Sequence, residues 1–136
     1  MEIDAGKQRE FLLDNTKLKQ LVVRNPALWW PNGYGEPNLY TCELTYSVGG
    51  KVSDRQLLTF GIREYGYEMV DGILHLKING EPVYLKGGNW GMSEYMLRCR
   101  GEEYDLKVKL HQEMNFNMIR NWIGSVTDDE FYQACD

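Results

Sequence analysis

Ile73-Leu-His-Leu-Lys-Ile-Asn-Gly-Glu-Pro-Val-Tyr-Leu-Lys-Gly-Gly-Asn-Trp90 is the stretch on which the reading of the fold turns. Leu74, Leu76 and Ile78 alternate with His75 and Lys77, the period of two that marks a half-buried strand. Asn79-Gly80 follows at once. Both residues tolerate positive φ, so the pair predicts a type I′ hairpin turn. The chain returns through Val83 and Leu85 to Gly87-Gly88, and there the pattern changes.

Downstream, Leu106, Leu110 and Met114 recur every four residues, as do Tyr104 and Val108. Alternation over the same residues would also allow a strand. Charge decides for a helix over Glu102 to Met114, because Glu102, Glu103 and Asp105 precede Lys107 and Lys109 and so match the helix macrodipole. Asn117 to Ile123 reads as a short buried strand with polar residues at its far end. Thr127-Asp-Asp-Glu130 is a capping-box sequence and predicts a second helix with Phe131, Ala134 and Cys135 on one side. Strand, helix, strand, helix after about Leu85 is the order of β/α units.

Upstream, the chain reads as strands. Tyr40, Cys42, Leu44, Tyr46 and Val48 alternate with Thr41, Glu43, Thr45 and Ser47, Gly49-Gly50 suits a tight turn, and a return strand runs from about Val52 to Phe60. Lys17 to Arg24 is a further strand candidate and Phe11 to Leu13 a short one. Such a set is part of a β-sandwich, which needs about seven strands when complete. The sheet therefore reads as truncated at its beginning. Between these strands, Asn25 to Pro37 carries three prolines and two glycines, which forbid regular structure, and Trp29-Trp30 to bury. It reads as a packed loop sealing one end of the sandwich. Trp29 and Trp30 as exposed sugar-binding rings is the alternative.

The bulk numbers exclude several classes. In 136 residues, 43% hydrophobic and 26% charged, there is room for one domain with an ordinary core. A net charge of −5 disfavours nucleic acid as a partner. No apolar run approaches the roughly 18 residues of a membrane span. The opening Met1-Glu-Ile-Asp-Ala-Gly-Lys is not a signal peptide, so the compartment stays open, with export of a longer parent allowed. Cys42, Cys99 and Cys135 are widely spaced and odd in number, which reads as separate, mostly buried thiols without a metal or disulfide role. His75 and His111 read as surface residues, and no cofactor is expected.

In parallel β/α architectures ligands sit beyond the carboxyl ends of the strands. Gly87-Gly-Asn-Trp90 and Arg120-Asn-Trp122 hold that position, each with an aromatic face and polar groups. Asn25-PALWWPNGYGEPNL-Tyr40, Phe60-GIR-Glu64, Leu76-KINGEPVYLKGGN-Trp90, Met114-NFNMIRN-Trp122 and Glu130-FYQAC-Asp136 then form an ordered series. That series resembles family 2 glycoside hydrolases, nearest their β-mannosidase and exo-β-glucosaminidase branch. The resemblance implies an α+β chain: part of an immunoglobulin-like β-sandwich over residues 1–62, then the first two β/α units of a TIM barrel over residues 63–136. Leu85 to Trp90 would be barrel strand one and Met118 to Trp122 strand two.

The same resemblance implies roles. Arg120 would orient the nucleophilic carboxylate and help keep it ionised, while Asn89, Trp90, Glu94 and Trp122 would bind the sugar. Gly91-Met92 and Ile123-Gly-Ser125 depart from the common pattern, which leaves the exact sugar open. The two glutamates of the retaining mechanism would follow strands four and seven, so this chain is read as lacking both and as inactive alone. A longer parent would act on an oligosaccharide or glycoside substrate, β-linked mannosides and glucosaminides first. A quarter-barrel also exposes strand edges and an apolar helix face, so self-association or a poorly ordered carboxyl-terminal half is expected. A non-catalytic sandwich module that binds carbohydrate or spaces domains is the second reading.

Overall fold

The computed structural model describes residues 6–91, 99–121 and 128–136. Over these the chain is mixed α and β. β1 (Leu39–Val48) and β2 (Lys51–Gly61) form an antiparallel hairpin, and β3 (Tyr65–Val70), β4 (Ile73–Ile78) and β5 (Glu81–Val83) an antiparallel meander. β6 (Gly87–Trp90) and β7 (Met118–Asn121) pair in parallel, joined through helix α1 (Glu102–Glu113), and helix α2 (Asp129–Cys135) follows β7. No helix among the described residues is long and apolar enough to cross a membrane.

Turn chemistry sets the hairpins. Gly49-Gly50, Asp71-Gly72 and Asn79-Gly80 each hold two successive positive φ angles, the type I′ geometry whose twist matches the flanking strands. β3 was not read from the sequence, although Asp71-Gly72 between two apolar-rich runs is the signal for it. On the β1–β2 pair, Tyr40, Cys42 and Leu44 share a face with Phe60 and Leu58, and Tyr40 stacks on Phe60 at 6.0 Å between centroids. The opposite face carries the Arg55–Glu43 ion pair at 2.7 Å.

α1 runs where its charge order places it. Its acidic first turn follows Gly101, and Lys107 pairs with Glu103 one turn back at 2.9 Å. Its end is a Schellman motif: Asn115 takes φ 61°, Asn115 N–H donates to the Gln112 carbonyl, and Phe116 N–H donates to the His111 carbonyl. The Asn32 carboxamide, from the Trp29–Pro37 loop, donates to the Gln112 and Phe116 carbonyls at 3.0 Å each. One side chain thus ties the loop to the helix.

Two upstream expectations fail. Lys17 to Arg24 is not a strand, because Lys19–Leu21 winds into a 3-10 turn. Asp14 organises the turn before it, its carboxylate accepting from Thr16 N–H, Thr16 Oγ1 and Lys17 N–H. Those bonds satisfy locally what a sheet ladder would otherwise supply. Phe11 to Leu13 is irregular and belongs to no ladder.

The Trp29–Pro37 loop packs as a loop. Trp29 and Pro37 form an isolated bridge, Trp29 N–H donates to the Ile62 carbonyl at 2.9 Å, and the Arg63 guanidinium lies 4.4 Å above the Trp29 ring. Asn79 closes the joint by accepting from Glu64 N–H and donating to the Trp29 carbonyl. Gly61 leaves room for Trp29, since a Cβ there would come within 2.8 Å of the Trp29 Cβ. Gly61→Ala is therefore expected to lower stability by about 1–3 kcal/mol, the usual cost of overpacking. A denaturant midpoint unchanged from the parent sequence would show that the ring is not fixed there.

A buried cluster lies between the helices and the parallel pair. Tyr104 is 0% exposed, Phe131 5% and Cys99 3%, with Trp90, Val108, Ile119 and Ala134 packed around them. Burial pushes the Cys99 thiol and the Tyr104 phenol up from their ordinary values, and the phenol donates to Asp128 Oδ2 at 3.1 Å. Of the three cysteines only Cys99 is buried; Cys42 is half-buried and Cys135 exposed. His111 is not a surface residue. It is half-buried, its ring 6.0 Å from that of Trp90, and its Nδ1 lies 2.7 Å from the Lys107 carbonyl, which fixes Nδ1 as the protonated nitrogen.

Candidate functional site

Parallel pairing puts Gly87 opposite Met118, Gly88 opposite Ile119, Asn89 opposite Arg120 and Trp90 opposite Asn121. Successive side chains of a strand point to opposite faces, so the pair has two distinct sides. Trp90 and Ile119 face the helices. Asn89 and Arg120 face away from them and are exposed, with Arg120 Nη1 donating to Asn89 Oδ1 at 2.8 Å. A guanidinium and a carboxamide thus stand joined at the carboxyl ends of neighbouring parallel strands, the position where β/α folds hold ligands.

Of the residues expected at a sugar subsite, the structure brings Asn89 and Arg120 together. Trp90 is on the other side: its ring stacks on Phe131 at 5.4 Å and meets Tyr104 edge-on at 6.2 Å. Alternation along β6 forces this, since Asn89 and Trp90 are adjacent and cannot share a face. Trp90 is thus accounted for by packing. Glu94 and Trp122 lie outside the described residues, as does Thr127 of the capping box. Among the described residues no group of three or more His, Cys, Asp or Glu is placed to hold a metal.

A concavity of about 970 Å³ lies elsewhere, at the amino end of β7 between the Trp29–Pro37 loop and the two helices. Its lining includes Trp29, Trp30, Arg63, His111 and Phe116, and neither Asn89 nor Arg120. It is the joint between loop and helices. Size alone would favour it as a site, but Trp29 lies against Gly61 and Trp30 against Gly35, so both rings are engaged by their own loop and its neighbours.

Helix-backed parallel strands carrying a polar pair at their carboxyl ends make this part of the mixed α and β chain a β/α unit. Residues 2–63 match the model of glycosyl hydrolases family 2. A mannosylglycoprotein endo-β-mannosidase from Lilium longiflorum is 42% identical over 123 residues, covering 88% of this chain and 13% of its own length. An exo-β-D-glucosaminidase from Hypocrea jecorina is 33% identical over 116 residues, again 13% of its length. The exo-chitosanase of Amycolatopsis orientalis, solved also in complex with PNP-β-D-glucosamine, superposes with a TM-score of 0.73 at 30% identity, over 82% of this chain and 13% of that one. The chain belongs to glycosyl hydrolases family 2. Within that family its similarity lies with the β-mannosidases and exo-β-D-glucosaminidases, of whose length it spans about an eighth, as the 13% coverage states.

Proposed function

We propose that the full-length protein is a retaining glycosidase acting on β-linked mannosides, glucosaminides or related β-glycosides, and that this chain supplies part of its sugar site. In this reading residues 1–62 belong to an immunoglobulin-like sandwich and residues 63–136 open a (β/α)8 barrel, with β6 and β7 as its first two strands. The Arg120–Asn89 pair, on the face away from the helices at the strands' carboxyl ends, carries the proposal. In a closed barrel the face away from the helices is the lumen.

Each residue then has a distinct task. The Asn89 carboxamide can accept and donate, which suits a sugar hydroxyl. Arg120 is a permanent, planar cation, suited to orienting a nucleophilic carboxylate and keeping it ionised. Glu94 and Trp122 would complete the subsite as a hydroxyl acceptor and a stacking face. Retention requires two carboxyl groups about 5–5.5 Å apart, one as acid/base and one as nucleophile. The family resemblance assigns both to later barrel strands, so the isolated chain is expected to be inactive. The exposed apolar side chains of β1 to β4, among them Tyr46, Leu57, Tyr67 and Leu74, support its self-association when taken alone.

The test is hydrolysis of aryl β-D-mannoside and aryl β-D-glucosaminide by the full-length protein, followed by proton NMR. The first sugar released is expected to be the β-anomer. An α-anomer released first, or turnover by the isolated chain that is lost on changing one of its own carboxylates, would overturn the proposal.

A further inference from the structure

The Arg120–Asn89 contact exists only in one strand register, and the strands themselves specify that register weakly. Each is four residues long, and Gly87 and Gly88 offer β7 no side chains to pair with. Glycine-rich strands are prone to slippage. A slip of one residue would place Arg120 opposite Gly88 or Trp90, whose side-chain directions belong to the other face. The pair would then be lost, with the guanidinium displaced by about 3.3 Å along the strand.

Just before β7, Asn117 supplies what the strands lack. Its Nδ2 donates to the Tyr84 carbonyl at 3.0 Å and its Oδ1 accepts from Lys86 N–H at 2.8 Å. Its own N–H and that of Met118 both donate to the Lys86 carbonyl, at 2.9 and 3.2 Å. The carboxamide therefore bridges one donor and one acceptor two residues apart on the segment leading into β6, which ties the start of β7 to one place on that segment. Gly87 then passes so close to Met118 that a Cβ there would collide with the Met118 carbonyl. From this clamp, three residues along each strand lead to Arg120 and to Asn89.

We infer that Asn117 is the positioning residue of the Arg120–Asn89 pair, acting through the register of β6 against β7. The inference rests on the reading of that pair as part of the sugar site. Its test is steady-state kinetics of the full-length protein on an aryl β-glycoside across pH, with Asn117→Ala, Asn117→Asp and Arg120→Lys. Asn117→Ala is expected to lower kcat/KM about 10²-fold, the scale of an ångström-level misplacement. It should also move the acid limb of the pH profile upward, because a displaced guanidinium no longer holds the nucleophile ionised. In the Arg120→Lys background the further loss should largely vanish.

Asn117→Asp keeps the acceptor for Lys86 N–H and should fall between Asn117→Ala and the parent sequence. It decides on the same readouts if the alanine variant does not fold. A lowered melting temperature with kcat/KM and acid limb unchanged would overturn the inference, as would additive losses. Parent-level kinetics in Arg120→Lys would instead sink the reading of the site itself.

Discussion

Arg120→Lys in the full-length protein is expected to lower kcat on aryl β-mannoside or β-glucosaminide about 10²-fold, the cost of misplacing a reacting group by about an ångström. Lysine keeps the charge but replaces a planar fork with a mobile point donor, so it cannot reproduce an oriented contact to a carboxylate. Stability should hardly change. Arg120 is exposed and its contact is with the neutral Asn89, so the folding free energy should stay within about 0.5 kcal/mol. Initial-rate kinetics beside a thermal melt checks both halves. A kcat within about twofold of the parent would remove Arg120 from the proposed machinery.

The second large effect is structural. Phe131→Ala is expected to cost about 3–5 kcal/mol, as truncation of a buried phenylalanine does. Phe131 stacks on Trp90 at 5.4 Å and lies 5.9 Å from Tyr104, so its removal opens the layer that holds α2 against α1 and β6. Denaturant unfolding gives the magnitude, and hydrogen exchange should show α2 losing protection before β6 and β7. A loss below about 1 kcal/mol would mean that the cluster is not the anchor of the helices.

The helices and hairpins were legible because their signals are local. Charge order placed α1, and Asn79-Gly80 and Gly49-Gly50 placed two of the three type I′ turns. β3 was missed although Asp71-Gly72 carries the same signal as the other two turns. Lys17 to Arg24 misled because Asp14, whose carboxylate closes a local turn just before it, competes with a sheet ladder there. Of the residues singled out for a site, the structure brings Asn89 and Arg120 together. Adjacent Asn89 and Trp90 were grouped by composition, while the pleat sends them to opposite faces. His111 was misplaced for a related reason, since a charged helix sequence does not reveal that Trp90 covers the imidazole. Asn32 and Asn117 were not singled out, because a carboxamide that stitches distant backbone leaves no pattern in sequence spacing. Asn115 left one, an asparagine just past a helical run, which is a helix-stop signal.

A crystal structure of the full-length protein with a bound mannose- or glucosamine-configured ligand would test the central claim most directly. The expected result is the sugar within hydrogen-bond reach of the Asn89 carboxamide and the Arg120 guanidinium beside a carboxylate from a later strand. A sugar stacked on Trp29 or Trp30 instead, with the Asn89–Arg120 face covered by other parts of the protein, would contradict it.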